Sequence, residues 1–271
     1  MRGRYAISIT TNGLNWRADD IRAAWSRGAP VVFHHGIGTD LGIWSDWLPV
    51  LGPDHLLVRF DLRGFGRSTV PAGHVWSLGG LVDDYFAVAD AAGVERFHAV
   101  GESIGGTVVL AAALRAPDRI LSVTVSNGAH KGAGLGRVKG WRQAMADKGL
   151  DRWADEMLDQ RFDEAAVPAE VRQWFDATQR RSDAEVIVAL GELLLGVDLS
   201  PRLAELRPPL LILAPQQSPF IPAETFEAMH AAVRGARIHR FDSARHGLPL
   251  SHGRGSAELA RDFIAEKVET T

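Results

Sequence analysis

The sequence predicts an α/β fold with a mostly parallel central sheet and helices on both faces of that sheet. Six short, almost continuously apolar runs carry the strand signal: PVVFHHG, LLVRFD, RFHAVG, LSVTVSN, LLILAP and RIHRFD. Runs of this length that are rich in Val, Ile and Leu are typical of parallel strands buried on both faces. Segments of helical pattern separate the runs, and strands that alternate with helices indicate βαβ crossovers.

The first element is predicted to be a β-hairpin. The segment YAISITTNGLNW alternates in period two and is interrupted at Asn12-Gly13, a dipeptide that suits a type I′ turn. The helical segments of the predicted core come later: LGGLVDDYFAVADAAG, TVVLAAALRAPDR, AETFEAMHAAVRG and SAELARDFIAEKV. Three of them lie between successive predicted strands and the last follows the final strand, so each can cover a face of the sheet.

The strand signals stop between residues 131 and 198. Charged, tryptophan-bearing helical patterns replace them: GWRQAMADKGLDRWADEML, EVRQWFDATQRR and EVIVALGELLLG. We therefore predict an α/β core formed by residues 1–130 and 199–271, with a helical cap of residues 131–198 inserted into it. The entry to this cap, KGAGLGRVKG, is rich in glycine but lacks the spacing and the ending of nucleotide-binding loops.

Composition limits the classes of partner. The chain of 271 residues carries 30 basic and 33 acidic side chains, a formal net charge of −3, so no basic field for nucleic acid or anionic membranes is expected. The absence of cysteine excludes disulfides and thiolate catalysis. No leader-like or membrane-spanning apolar stretch occurs. We expect a cytoplasmic protein without cofactor or metal whose partner is a small-molecule substrate; the sequence leaves a homo-oligomer open.

One motif points to nucleophilic chemistry. Val100-Gly-Glu-Ser-Ile-Gly-Gly106 places Ser103 between a predicted strand and a predicted helix. This context favours a sharp turn that presents the serine hydroxyl, with Gly101 and Gly105 removing side chains that would collide across it. The helix would begin at Ile104, whose free N–H could stabilise an oxyanion. The alternative interpretation is an ordinary glycine turn.

A second oxyanion donor is expected after an earlier strand. In the stretch FHHGIG, Gly36 and Gly38 let the backbone approach a ligand, and the N–H of Ile37 is free to point at a carbonyl oxygen. The alternative is a plain glycine turn with two solvated histidines. A serine also needs a base, and His246, just after the last predicted strand, could reach Ser103. His252 is the reserve choice.

The pieces HHGIG, DLRGFGRS, GESIGG and RHG occur in the order found in the α/β-hydrolase family, which the chain resembles over nearly its whole length. Within that family, HHGIGTDLGIW, FDLRGFGRSTVPAG and VSNGAHKG most resemble the 3-oxoadipate enol-lactonases and their relatives, which open small carboxylated lactones or esters. The resemblance implies that Ser103 is the nucleophile, His246 the base, the amides of Ile37 and Ile104 the oxyanion hole, and residues 131–198 the cap.

The third member of the expected triad is missing from its usual place. Family members commonly carry an acid after the strand that matches LLILA, but Ser218 stands there in this chain, within Pro215-Gln-Gln-Ser-Pro-Phe-Ile-Pro222. Some relatives move the acid to the end of the preceding strand, where this chain has Asn127. We favour Asn127 as the partner of the histidine, followed by Ser218 and then Asp242; Asp198 is a further source of charge.

These features predict a cofactor-free serine hydrolase that acts on a small lactone, ester or related acyl compound through an acyl-enzyme. Two alternatives keep the fold: hydrolysis of a carbon–carbon bond, and hydrolysis of an amide or formamide. A third is a ligand-binding protein that has lost catalysis along with the acid. Near the pocket, Glu102 lies beside the nucleophile, and Lys131, Arg137 or Arg142 of the cap could bind a substrate carboxylate.

Overall fold

The computed structural model of the protein describes residues 4–9 and 12–268. In this part of the chain one sheet is formed, with strand order β1-β2-β4-β3-β5-β6-β7-β8. The strands are β1 (Arg4–Ile9), β2 (Asn15–Asp20), β3 (Gly28–His34), β4 (His55–Phe60), β5 (Phe97–Glu102), β6 (Ile120–Ser126), β7 (Leu210–Pro215) and β8 (Arg237–Phe241). Each of the six predicted runs is a strand, but β8 is not buried as predicted, because it lies at the edge of the sheet, pairs with β7 alone among the described strands, and exposes three of its five residues.

The sheet is mostly parallel, as predicted. Strands β3 to β8 pair in parallel, whereas β2 pairs antiparallel with both β1 and β4. The pairing of β1 with β2 confirms the predicted hairpin, and its last pair joins Ile9 to Asn15. Gly13 has a φ of +81°. The type I′ turn stays a prediction, because residues 10 and 11 lie outside the described residues.

Helices cover both faces of the sheet, and the strands alternate their side chains between the two. Val32 of β3 packs into the core that α2 and α3 share, whereas its neighbours Val31 and Phe33 pack toward α1 and α9. The helices are α1 (Leu48–Leu51), α2 (Leu78–Ala91), α3 (Ile104–Arg115), α4 (Trp141–Arg161), α5 (Ala169–Arg180), α6 (Ala184–Leu195), α7 (Ala223–Ala232), α8 (Leu248–Ser251) and α9 (Gly253–Val268). Of the helices described, none has the length and apolarity needed to cross a bilayer.

Helices α4, α5 and α6 fill the segment between β6 and β7. An antiparallel bridge between Lys131 and Asp198 joins the two ends of this segment, where the N–H of Leu199 donates to the carbonyl of His130 at 2.8 Å. Helix α4 is kinked at Gly149, whose φ of 77° and ψ of 172° are not helical. The bridge lies at the ends of the proposed cap, residues 131–198; the division into core and cap stays a prediction.

Candidate active site

Ser103 occupies a sharp turn between β5 and α3. Its backbone has a φ of 55° and a ψ of −120°, a conformation that is rare for residues other than glycine. The close approach of the chain explains the flanking glycines: a Cβ atom at Gly101 would lie 2.2 Å from the carbonyl oxygen of Gly105, and one at Gly105 would lie 2.1 Å from that of His34. The serine side chain is thereby held at the carboxyl edge of the sheet.

His246 reaches this serine from the loop after β8. Its Nε2 lies 3.1 Å from the Oγ of Ser103, and the ring of Phe220 packs edge-on against the imidazole at 4.8 Å between centroids. The reserve candidate, His252, points elsewhere: its Nδ1 lies 2.9 Å from the hydroxyl of Ser251. The structure therefore brings Ser103 and His246 together and leaves His252 aside.

The other side of the imidazole faces a second serine. The Oγ of Ser218 lies 3.0 Å from Nδ1 of His246. Our preference for Asn127 in this position is wrong, because its amide lies beneath the turn and donates to the backbone carbonyl of His246 and, at 2.9 Å, to Oε1 of Glu102. Asn127 follows β6, next to β5, so it contacts the backbone of the histidine loop and not the ring.

The two remaining acid candidates do not contact the imidazole. The side chain of Asp242 is exposed, and its backbone carbonyl accepts from the amide of Gln217 at 3.1 Å. Asp198 is exposed as well and accepts the N–H of Ser200 at 2.8 Å. Within the described residues, the imidazole of His246 therefore contacts two hydroxyl groups and no carboxylate.

The surroundings of Ser218 determine which nitrogen of His246 carries the proton. The backbone N–H groups of Phe220 and Ile221 point at its Oγ, at 3.3 and 3.2 Å. Because these donors occupy the lone pairs of the hydroxyl, its own proton is directed at Nδ1 of His246, which favours the tautomer with the ring proton on Nε2 over the tautomer with the proton on Nδ1. A carboxylate can only accept and would fix the opposite tautomer, the one that can take a proton from Ser103.

Charge also disfavours protonation of His246. Burial lowers the pKa of the imidazole well below its ordinary value, and the neighbouring guanidinium of Arg161 lowers it further. The histidine is consequently neutral at pH 7, as a base must be. It is a weak base, because no anion compensates the charge that it gains with the proton.

Two backbone amides are available beside the nucleophile. Neither the N–H of Ile37 nor that of Ile104 donates to another described residue. The loop of Ile37 lies against Ser103, since a Cβ atom at Gly36 would come within 2.9 Å of the Cβ of the serine. Ile104 is the first residue of α3, where the helix dipole adds positive potential. Together the two amides can stabilise a developing oxyanion.

The two histidines before this loop are not solvated, contrary to the alternative interpretation of the glycine turn. His34 and His35 are fully buried. Nε2 of His35 accepts the N–H of Leu62 at 2.7 Å, which leaves its proton on Nδ1, 2.8 Å from the carbonyl oxygen of Gly36. His35 therefore fixes the loop that carries the amide of Ile37.

A buried charged cluster lies directly behind the turn; we call its members, Glu102, Asn127 and Arg161, the Glu102 cluster. Oε1 of Glu102 accepts from Asn127 at 2.9 Å and lies 3.5 Å from Nη1 of Arg161. Nη2 of Arg161 donates to the carbonyl of Ile37 at 3.2 Å. The carboxylate also occupies the space that a side chain at Gly36 would need, 2.1 Å from that Cβ position.

The Glu102 cluster contacts every segment that carries a reactive group. Glu102 precedes Ser103, Asn127 holds the backbone of His246, and Arg161 holds that of Ile37. Burial raises the pKa of Glu102 to about 7, against the opposing effects of Arg161, of Asn127 and of a backbone hydrogen bond from Gly36. The carboxyl therefore changes its charge close to neutral pH.

Arg161 was not predicted. The cations predicted to bind a carboxylate, Lys131, Arg137 and Arg142, do not line the cavity beside Ser103, whereas Arg161 does. A signal was present in the sequence, because Arg161 continues a stripe of buried residues at four-residue spacing on α4. An arginine at the end of such a stripe is buried and must find partners.

The cavity beside Ser103 is small and mostly apolar. It has a volume of about 20 Å³, and its wall includes Leu135, Val138, Trp141 and Leu194. Among the residues that the structure describes, no group of three His, Asp or Glu side chains could hold a metal ion.

Comparison with known proteins is consistent with this geometry. Residues 29–157 match the family model of the α/β-hydrolase fold. A pimeloyl-[acyl-carrier protein] methyl ester esterase from Methylococcus capsulatus is 32% identical over 254 residues, 88% of this chain and 96% of that protein. A 2-hydroxymuconate semialdehyde hydrolase from a Pseudomonas species is 26% identical over 255 residues, 88% of each chain.

The enol-lactonases that the sequence resembles are among the relatives. A 3-oxoadipate enol-lactonase from Acinetobacter baylyi is 27% identical over 225 residues, 79% of this chain and 80% of that protein. A solved hydrolase from Pseudomonas aeruginosa superimposes with a TM-score of 0.83 at 25% identity, over 97% of this chain and 99% of that one. The sheet topology, the matched segment and these relatives agree, and the chain belongs to the α/β-hydrolase family.

Proposed function

We propose that the protein is a cofactor-free serine hydrolase that opens a small ester or lactone through an acyl-enzyme on Ser103. The observation that carries this proposal is the 3.1 Å contact between Ser103 Oγ and His246 Nε2. A serine at a strained strand-to-helix turn, with an imidazole in reach and two free amides beside it, is the arrangement that acyl transfer needs.

The proposed reaction has two halves. In the first, His246 is in the tautomer that carries its ring proton on Nδ1, so that Nε2 takes the proton of Ser103 while Oγ attacks the acyl carbon, and the N–H groups of Ile37 and Ile104 stabilise the tetrahedral oxyanion. The imidazolium gives this proton to the leaving alkoxide, and an ester of Ser103 remains. In the second half, a water molecule loses a proton to His246 and attacks this ester, so that the acid is released and the serine hydroxyl is restored.

The hydroxyl of Ser218 makes this base weaker than a carboxylate would. We therefore infer that the substrate has a good leaving group, such as an enol or phenol, which needs less help from the base. Similarity to an enol-lactonase supports the same class, because the leaving group of an enol-lactone is an enol. In this proposal, the Glu102 cluster supplies part of the alignment by holding the loops of His246 and Ile37.

Labelling with a fluorophosphonate probe tests the proposal. We expect the purified protein to be labelled at one site and the Ser103→Ala variant to remain unlabelled. Ser45→Ala, which removes an exposed serine whose hydroxyl donates to the carbonyl of Gly42, is the matched control and should react like the unchanged protein. A protein that resists the probe although it is folded would favour the ligand-binding alternative instead.

A second candidate function is the hydrolysis of a carbon–carbon bond, favoured by the similarity to 2-hydroxymuconate semialdehyde hydrolase. A panel of aryl esters, small lactones, vinylogous diketones and formamides separates the candidates. We expect turnover of aryl esters and lactones to exceed that of the others. Faster turnover of the diketones would favour the second candidate.

A further inference from the structure

The cavity beside Ser103 needs additional space before it can hold a substrate. Its volume of about 20 Å³ suffices for about one water molecule. An ester brings substituents on both sides of its carbonyl carbon, and ligand pockets of proteins typically measure roughly 300–1,000 Å³. The rest of the substrate must therefore use a neighbouring space.

Such a space lies between the two halves of α4; we call it the α4 cavity. Its volume is about 200 Å³, and its apolar wall includes Ala144 from the first half of the helix and Trp153 and Met157 from the second. The kink at Gly149 turns the two halves toward each other and so creates the cavity. Arg137 and Glu156 add polar groups to the wall.

Trp141 separates the α4 cavity from the cavity beside Ser103. Its indole lines both. It packs edge-on against Phe220 of the inner cavity at 6.1 Å and against Trp153 of the α4 cavity at 5.4 Å. Gly191 of α6 leaves room for the indole, because a Cβ atom there would lie 2.9 Å from its Cε3. A rotation of this one side chain would join the two spaces.

We propose that the α4 cavity binds the apolar chain of the substrate's acyl group and that Trp141 determines how long a chain the site accepts. The proposal rests on the proposed function, because it assumes that the chain is attached to the acyl carbon that Ser103 attacks. An alkyl chain suits the wall of Ala144, Trp153 and Met157, because each methylene group buried there leaves water.

The effect of chain length on hydrolysis tests the proposal. Ala144→Phe fills the α4 cavity and should lower kcat/KM for p-nitrophenyl octanoate at least fivefold, while kcat/KM for the acetate changes less than twofold. Ala146→Phe adds the same bulk to an exposed position on the same half of α4 and should change neither. Trp141→Ala joins the two cavities and should raise the octanoate-to-acetate ratio at least fivefold. An unchanged ratio in both the Ala144 and the Trp141 variant overturns the proposal.

A binding measurement distinguishes this proposal from the proposed function. In the Ser103→Ala variant, methyl octanoate should change the tryptophan fluorescence, and adding Ala144→Phe should weaken its binding at least fivefold, whereas adding Ala146→Phe should not. A protein that binds methyl octanoate in this way but hydrolyses neither ester contradicts the proposed function alone. Hydrolysis of the acetate together with octanoate binding that Ala144→Phe does not weaken contradicts the α4 cavity alone.

Discussion

The two polar groups that flank the turn at Ser103 differ in charge. In front of it, the imidazole of His246 contacts the hydroxyls of Ser103 and Ser218 at 3.1 and 3.0 Å. Behind it, the Glu102 cluster holds a carboxyl and a guanidinium, 3.5 Å apart and almost fully buried. The negative charge near the active site is therefore used to hold loops, not to assist the base.

It follows that the alignment of a catalytic base and the increase of its basicity are separate tasks, which different residues can perform. A carboxylate on the imidazole performs both, because it orients the ring and stabilises its charged form. Here Asn127 holds the backbone of the histidine loop, and Ser218 contacts the ring without a charge to offer. The loop is well positioned while the base stays weak.

Among the substitutions at the site, loss of the base should lower the reactivity of Ser103 the most. We expect His246→Ala to lower the rate of fluorophosphonate labelling by about 10³-fold or more, since a serine without a base is a poor nucleophile. His252→Ala is the matched control and should keep more than half of the rate, because its ring lies away from Ser103. A similar loss in both variants would mean that the loop, not the imidazole, matters.

Two single substitutions distinguish the role of the Glu102 cluster from that of the Ser218 hydroxyl at the imidazole. Asn127→Ala leaves Oε1 of Glu102 and the carbonyl of His246 without this donor, which should cost about 1–3 kcal/mol of stability and lower kcat about tenfold or more. Ser218→Ala should change kcat less than about tenfold in either direction, because this hydroxyl does not fix the productive tautomer. Thermal unfolding and ester hydrolysis check both, and the opposite ranking would contradict the division of tasks.

Only part of the site was predictable from the sequence. The turn at Ser103 and the position of His246 follow from local motifs, since the strand, the glycines and the helix are neighbours along the chain. The partner of the imidazole was misassigned, because only the packed structure shows that Asn127 meets the backbone of the loop while Ser218 meets the ring. Arg161 joins Glu102 across 59 positions of sequence, a contact that no local pattern contains.

The pH dependence of activity should reveal the weak base. Since burial and Arg161 lower the pKa of His246, the histidine stays neutral and active well below pH 6.5. We expect the acid limb of kcat/KM for an aryl ester to have its midpoint well below the ordinary histidine pKa of 6.5. A midpoint near 7 that persists in the Glu102→Gln variant would indicate a compensating anion at the imidazole.

A further prediction concerns the stability of the protein and the Glu102 cluster. The pKa of Glu102 is about 7 in the folded protein and 4.5 in the reference state, so folding favours its protonated form. This contribution is fully present below pH 4.5 and is lost as the pH rises through 7, by about 3 kcal/mol at most. The free energy of unfolding, measured in urea from pH 4.5 to 8, should fall more in the unchanged protein than in Glu102→Gln. Parallel pH dependences would contradict a titrating Glu102.

The most direct test of the account is Ser218→Asp. The N–H groups of Phe220 and Ile221 already point at this position and would stabilise a carboxylate there. We predict that kcat/KM for an aryl ester at pH 8 rises at least about tenfold and that the acid limb moves to higher pH, because the new anion fixes the productive tautomer and raises the pKa of His246. Asn127→Asp, which would set an anion against Glu102 and a carbonyl, should instead lower the rate. A Ser218→Asp protein with an unchanged rate and an unchanged acid limb would contradict the claim that a neutral partner limits this base.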